Sequence, residues 1–304
     1  MGRPLAAASP LPGLAARRPD LVGLALLLCT VLGWGLSWPV NKLLLGLWPP
    51  LSLRGMNGTL GGMALMLLAL ARGEALGVPL GQWGRLLLIA VLNVTCWIGF
   101  TTYSMLWLTA GEAAIAAYTM PLWTVLLAWP LLGERPTVRR VAGLATGLAG
   151  VAVLVGGGPS LDLSRLPGVV MSMLAAVTFA LGTVVTKRAP LTLPPVAGAA
   201  WQVLLGALPL ALAGLLLERA DPAAMPAHGW ALVAVVAAYP LGVCYLSWFA
   251  ALRRLPAGLA ATGTLLTPVI GVLGGTLLLG EPLGLRQGLA LLLTVAGVLL
   301  ALRG

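Results

Sequence analysis

The chain has 304 residues, 60% of them hydrophobic and only 9% charged, with a mean hydropathy of +1.01. Soluble domains are about half apolar and about a quarter charged, so an ordinary water-soluble domain is excluded and the chain belongs in a membrane. Its 18 basic residues outnumber the 8 acidic ones; in a soluble chain this surplus would raise nucleic acid as a partner, but here the charges lie between apolar runs, where they anchor and orient helices at the lipid surface.

Residues 1–20, MGRPLAAASPLPGLAARRPD, carry paired arginines ahead of an apolar run, as a secretory signal would. The run continues to about Leu45 with no cleavage-site pattern, too long for a signal core. The segment therefore reads as a short cytoplasmic tail. A spanning helix needs about 20 mainly apolar residues, and with Pro, Gly and charge taken as boundaries ten such helices are predicted. They cover 21–45, 50–72, 83–108, 111–132, 138–156, 166–188, 194–217, 228–251, 256–279 and 284–302.

Cytoplasmic loops retain positive charge. With an inside N-terminus, thirteen Lys/Arg fall on the inner side and four (Lys42, Arg165, Arg219, Arg286) on the outer, with Arg54 inside a helix. Both termini are thus expected in the cytoplasm. The cysteines Cys29, Cys96 and Cys244 all lie in apolar runs and read as packing residues; no Cys/His spacing resembles a metal site, and no cofactor is expected. The sequons at Asn57 and Asn93 also fall within predicted helices, where glycosylation is not expected.

The chain writes one phrase twice. YTMPLWTVLLAWPLLGERP at 118–136 and LLTPVIGVLGGTLLLGEP at 265–282 each place a glutamate 13 positions after a proline, Pro121 to Glu134 and Pro268 to Glu281. At an offset of 147, Gly133 meets Gly280, Arg139 meets Arg286 and Gly150-Val151 meets Gly297-Val298. Earlier in each half the offset is 145: Trp34 meets Phe179, Lys42 meets Lys187 and Pro49-Pro50 meets Pro194-Pro195. Five spans per half is an odd number, so the second half enters the membrane from the opposite face. Two inverted repeats enclose a site near the bilayer midplane that opens alternately to either side.

Within a helix a proline frees one carbonyl and bends the axis, which lipid tolerates only where that group faces protein or a wet cavity. Pro121 and Pro268 are therefore expected mid-span, as kinks facing the cavity. Glu134 and Glu281 are expected to end their helices and to tie a short loop, a structural role.

These features resemble the drug/metabolite transporter superfamily, EamA-type permeases. The marks are GWGLSWPVNK at 33–42, Arg54 near the start of the second span, the twice-written proline and glutamate, and the closing spans LATGLAGVAVLV and LLLTVAGVLLAL. The resemblance implies an all-α basket of ten transmembrane helices around a central cavity. It divides the chain into a tail (1–20), a first repeat (21–156), an external linker (157–165) and a second repeat (166–304). It implies export of small metabolites, often amino acids, from a bacterial cytoplasmic membrane without ATP.

Polar and aromatic groups at bilayer depth tend to face the bundle interior. Trp34, Trp38 and Asn41 form one stripe of the first span; Arg54 and Asn57 lie three apart in the second. Trp97 and Tyr103 follow in the third span, Tyr118, Thr119 and Trp123 in the fourth, Gln202 in the seventh, and Tyr245 and Trp248 in the eighth. Together they are the candidate substrate-binding set. Trp48, Trp83, Trp107, Trp230 and His228 lie near helix ends and read as interfacial. Arg54 is close enough to its helix end for snorkelling to compete with carboxylate binding.

Aromatic walls with few fixed charges suit a small amphipathic solute. None of the acids lies near a span centre, so a buried carboxylate proton relay is not expected. A carrier of phosphorylated or sugar-linked solutes would want two or more basic groups in the cavity, and the sequence offers Arg54 with Lys42 and Lys187 toward helix ends. Cationic drugs are the other alternative. No HExxH, GxSxG, Walker A or Ser/His/Asp constellation points to an enzyme. The expected partners are a small-molecule substrate and the bilayer. Gly143, Gly147 and Gly150 permit close helix packing, within the chain or in a homodimer, though a monomer is adequate.

Overall fold

The computed structural model describes residues 20–156, 163–256, 259–260 and 263–302. The tail up to residue 19, most of the linker, Gly258 and Arg303 lie outside them. The described residues are all-helical. Seven helical stretches are long and apolar enough to cross a membrane: Leu21–Leu45, Pro50–Ala71, Leu80–Ser104, Ala110–Leu132, Leu163–Arg188, Pro195–Leu217 and Leu285–Leu302. Ala227–Ala238 and Leu266–Leu279 are shorter apolar helices.

The helices are α1 (Leu21–Leu45), α2 (Pro50–Ala71), α3 (Trp83–Ala90), α4 (Trp97–Ser104), α5 (Ala110–Ala117), α6 (Met120–Leu132) and α7 (Val138–Gly156). They continue as α8 (Leu166–Arg188), α9 (Pro195–Leu217), α10 (Ala227–Ala238), α11 (Cys244–Leu252), α12 (Leu266–Leu279) and α13 (Leu285–Leu302). Pro50 and Pro195, from the repeated Pro-Pro phrases, each begin a helix, where the missing N–H would have had no partner in any case.

Several predicted helices are broken. α3 and α4 are joined by a π-helical turn, Val91–Cys96, and α10 and α11 by a second, Tyr239–Val243. Pro240 gives the second turn a direct cause, since it cannot donate to the preceding ladder. The third stretch ends at Ser104, short of the expected 108.

Pro121 stands at the middle of the stretch Ala110–Leu132, as expected, but at a break between two helices and not as a kink inside one, and Pro268 likewise starts a helix. Pro121 is the second residue of α6, after an interruption at Tyr118–Thr119, and Pro268 is the third residue of α12. Each stands in the first turn of a new helix, where proline's fixed φ suits the start and few backbone donors are lost. The Gly-Glu pairs end those helices. Gly133 (φ 76°) and Gly280 (φ 65°) take the left-handed conformation that stops a helix. The next amide reaches back to close the turn, Glu134 N to Ala128 O at 3.3 Å and Glu281 N to Gly275 O at 3.2 Å.

Helices that hold corresponding places in the two halves pack against each other. Along the α2–α9 seam a Cβ at Gly55 would lie 2.3 Å from Ala211 Cα, one at Gly58 would meet Ala207, and one at Gly62 would meet Leu204. As the number rises on one helix it falls on the other, so the pair is antiparallel. The seam between α7 and α13 behaves alike: Gly143 faces Ala301, Gly147 faces Gly297 and Gly150 faces Thr294. The glycine stripe is thus used within the chain. Further corresponding pairs repeat, α1 with α12 and α8 with α6, then α1 with α11 and α8 with α4.

Carboxylates fasten several helix starts, which carry unpaired N–H groups and a positive dipole end. Glu218, just past α9, accepts from Leu51 N at 3.0 Å and Ser52 N at 2.7 Å in the first turn of α2. Glu74, just past α2, accepts from Ala197 N at 2.8 Å in the first turn of α9, completing a reciprocal exchange. Glu281 accepts from Ala110 N at 2.7 Å and Gly111 N at 3.3 Å, so it ties a helix start rather than a loop. Asp20 caps α1 through Gly23 N at 2.9 Å, and that bond holds its carboxyl below the usual range.

Candidate functional site

A cavity of about 230 Å³ lies among α1, α2, α4, α6 and α8 to α11, the two π-helical turns and the break between α5 and α6. Pockets for drug-sized ligands measure about 300–1,000 Å³, so this space suits a smaller solute. The broken elements matter here because they turn side chains and backbone carbonyls inward. Trp34 Nε1, for example, donates to Pro240 O in the second π turn at 3.2 Å.

One wall is aromatic. Trp97 lies 4.9 Å from Phe179 between ring centroids, 6.5 Å from Trp38 and 6.4 Å from Tyr118, the last two edge-on. Trp34 is 6.0 Å from Tyr245, also edge-on. Each such pair contributes about 0.5–1.5 kcal/mol beyond area burial, enough to hold the rings as a preformed surface. Trp34 and Phe179 correspond in the repeat, so both halves supply this wall.

The other side is polar. Asn41 is 5% exposed and donates to Ser37 O at 2.6 Å, which leaves its Oδ1 to accept from Arg54 Nη1. Asn57, one turn along α2, is 2% exposed, and neither atom of its amide has a partner. Arg54 Nε and Asn93 Oδ1 are likewise buried without partners. Lys42 does not join them: it donates to the carbonyls of Met105 and Leu108 beyond the end of α4, the second at 2.7 Å. Among the lining residues Arg54 is the one Lys or Arg, and there is no carboxylate.

The predicted set therefore divides. Trp34, Trp38, Asn41, Arg54, Asn57, Trp97, Tyr118 and Tyr245 line the cavity. Tyr103, Thr119, Trp123, Gln202 and Trp248 do not, and neither Pro121 nor Pro268 does. Thr119 turns its hydroxyl to Ala116 O at 2.7 Å, and Trp248 packs behind Trp34 at 5.7 Å. Sequence reasoning missed Ser37, Asn93, Thr101 and Phe179 as lining residues. Asn93 and Thr101 sit four positions either side of Trp97, a spacing that could have found them.

The sequence model of the EamA-like transporter family matches residues 21–156 and again 166–303. The chain belongs to the EamA-like transporter family. It is 30% identical over 275 residues to "Uncharacterized transporter YvbV" of Bacillus subtilis, covering 90% of each chain. It is 29% identical to "Uncharacterized inner membrane transporter YedA" of Escherichia coli K12, covering 89% of this chain and 87% of that one. Against the "Probable amino-acid metabolite efflux pump" of Salmonella typhimurium it is 28% identical over 294 residues, covering 90% and 92%. A solved crystal structure aligns with a TM-score of 0.65 at 25% identity, over 92% of this chain and 95% of the other. Membership in the EamA-like family makes the chain a membrane transporter rather than an enzyme.

Proposed function

We propose that the chain exports amino acids and related amphipathic metabolites across a bacterial cytoplasmic membrane by alternating access. The observation that carries this reading is the antiparallel packing of corresponding helices, α2 on α9 and α7 on α13, in a chain whose cavity is walled by aromatic rings from both halves. Antiparallel equivalents are what an inverted repeat requires; repeats related by an axis along the membrane normal would pack in parallel.

On this reading the chain crosses the membrane ten times. The stretches 21–156 and 166–304 are inverted five-helix repeats forming a basket, joined by an external linker, with both termini in the cytoplasm. The thirteen-to-four charge partition supports the orientation. Solute binds between Trp34, Trp97, Tyr118 and Tyr245 and the polar group Asn41, Arg54 and Asn57. The helix starts at Pro121 and Pro268 act as the flexing points. One copy of the chain encloses the cavity, so a monomer is sufficient. Lys42 and Lys187 are committed elsewhere, to carbonyls and to Glu134, which leaves too little positive charge for phosphorylated solutes.

The test is counterflow in proteoliposomes preloaded with unlabelled amino acids, with uptake of each labelled one followed for wild type, Trp34→Ala and Trp97→Ala. Saturable exchange of particular amino acids, reduced at least tenfold in both variants, is expected. Exchange by folded protein of other solutes but of no amino acid would reject the substrate reading.

A further inference from the structure

The polar side of the cavity carries an unbalanced charge. Arg54 is the fifth residue of α2, and its guanidinium has five N–H donors in a planar fork that matches a carboxylate. The protein partner in evidence is the neutral Asn41 Oδ1, while Nε is buried without one. Buried charges are ordinarily paired, because an isolated ion in a low-dielectric interior is costly. Among the described residues no acidic side chain pairs with Arg54. The carboxylate that touches the start of α2, that of Glu218, is committed to Leu51 N, Ser52 N and Ser52 Oγ.

We propose that the solute supplies the missing charge: Arg54 receives a single free carboxylate, and Asn57 serves that carboxylate with Nδ2 and the neighbouring ammonium with Oδ1. This rests on the transporter reading above and names the part of the solute that is recognised. Asn57 suits the task because both its amide atoms are unpartnered, it is 2% exposed, and it lines the cavity one turn from Arg54. Asn93 Oδ1, also unpartnered and lining the cavity, is a second acceptor for the ammonium. One guanidinium and no second cation select a monocarboxylate over a phosphate. The aromatic wall then receives the remainder of the solute. A free α-amino acid has this inventory; its amide or ester lacks the anion, and the corresponding amine lacks the whole carboxyl group.

The experiment is competition against labelled phenylalanine, leucine and threonine in the counterflow assay. The competitors are each amino acid, its primary amide, its methyl ester and, for phenylalanine, 3-phenylpropanoate and phenethylamine. Wild type, Arg54→Lys and Arg54→Gln are compared. Wild type is expected to bind the free acids at least tenfold more tightly than the amides, esters and amine, with 3-phenylpropanoate between. Arg54→Gln should lose that preference while retaining the amides within about threefold, and Arg54→Lys should keep part of it. Equal competition by acids and amides in wild type would overturn the assignment of Arg54 and leave the carrier standing. That comparison needs no variant, so a poorly folded Arg54→Gln does not spoil it. Exchange of amines or sugars with no competition by any carboxylate would overturn both this assignment and the amino-acid reading.

Discussion

The repeat places the same three residue types at two regions of the molecule, and the two regions use them differently. Lys42, Glu281 and Arg286 correspond to Lys187, Glu134 and Arg139. In the first region Glu281 caps α5, Lys42 binds carbonyls, and Arg286 joins Arg165 and Gln287 on Glu112, which is 1% exposed. In the second, Lys187 and Glu134 form a pair whose side chains are 62% and 41% exposed. The position corresponding to Glu112 is Leu259, and among the described residues of the second region no buried acid is available on which to build a network. The duplicated sequence therefore encodes two regions fastened unequally, one by a buried network and one by an exposed pair.

The comparison is broken most directly at Glu112. Its carboxylate completes a capping box with Thr109 and takes bonds from Arg286 and Gln287, both at 3.1 Å. Glu112→Gln leaves two guanidiniums facing a neutral amide. Removing one partner of a buried ion pair costs about 3–5 kcal/mol, and the lower end applies because the Arg165 and Arg286 side chains are 24% and 22% exposed. A fall of that size in the unfolding free energy of the detergent-solubilised protein is the expected result, with faster labelling of a cysteine introduced beside Gln287. An unchanged midpoint would mean that the network contributes nothing to the stability of this region.

Glu281→Gln should do less, about 1 kcal/mol, the usual effect of losing a helix cap. The amide can still accept one of the two bonds now made to Ala110 N and Gly111 N. The same denaturation series reads it. A loss equal to that of Glu112→Gln would show that the cap, not the Glu112 network, holds this region together.

What the sequence made legible follows from spacing. The 13-residue interval and the Gly-Glu ending are visible as letters, and they mark a helix with a left-handed stop in both halves. Arg54 and Asn57 were legible because polar side chains three apart in an apolar run must find the interior. The breaks were not legible. A π turn adds a residue to one helical turn and rotates everything after it, and no letter marks the turn at Val91–Cys96. Tyr103 is a simpler case: it shares α4 with Trp97 and Thr101, but six positions from Trp97 is about two-thirds of a turn off its face, so Trp97 and Thr101 line the cavity and Tyr103 does not. Trp123 is not among the lining residues; the interruption at Tyr118–Thr119 lies between it and the helix that precedes Tyr118. The reciprocal caps at Glu74 and Glu218 were missed because an acid just past one helix does not reveal whose N-terminus it will reach.

The smallest effect belongs to Glu134, and pH and salt distinguish it from Glu112. The Lys187 ammonium, 2.5 Å from its carboxylate, donates a hydrogen bond that holds the Glu134 carboxyl below its ordinary 4.5, with Lys187 and Arg140 charges adding to this. A carboxyl depressed in the folded state contributes stability above its unfolded value and loses that contribution as pH falls through the folded value. The stability difference between wild type and Glu134→Gln should therefore be small and flat from neutral pH down to about 5, then fall to nothing below the ordinary glutamate range. Exposed pairs are also weakened by salt, and buried ones much less, so at about 1 M salt the difference should shrink at neutral pH while that of Glu112→Gln persists. A Glu134→Gln effect that survives both acid and salt would mean that this pair is sealed like the other, and the asymmetry between the two regions would be lost.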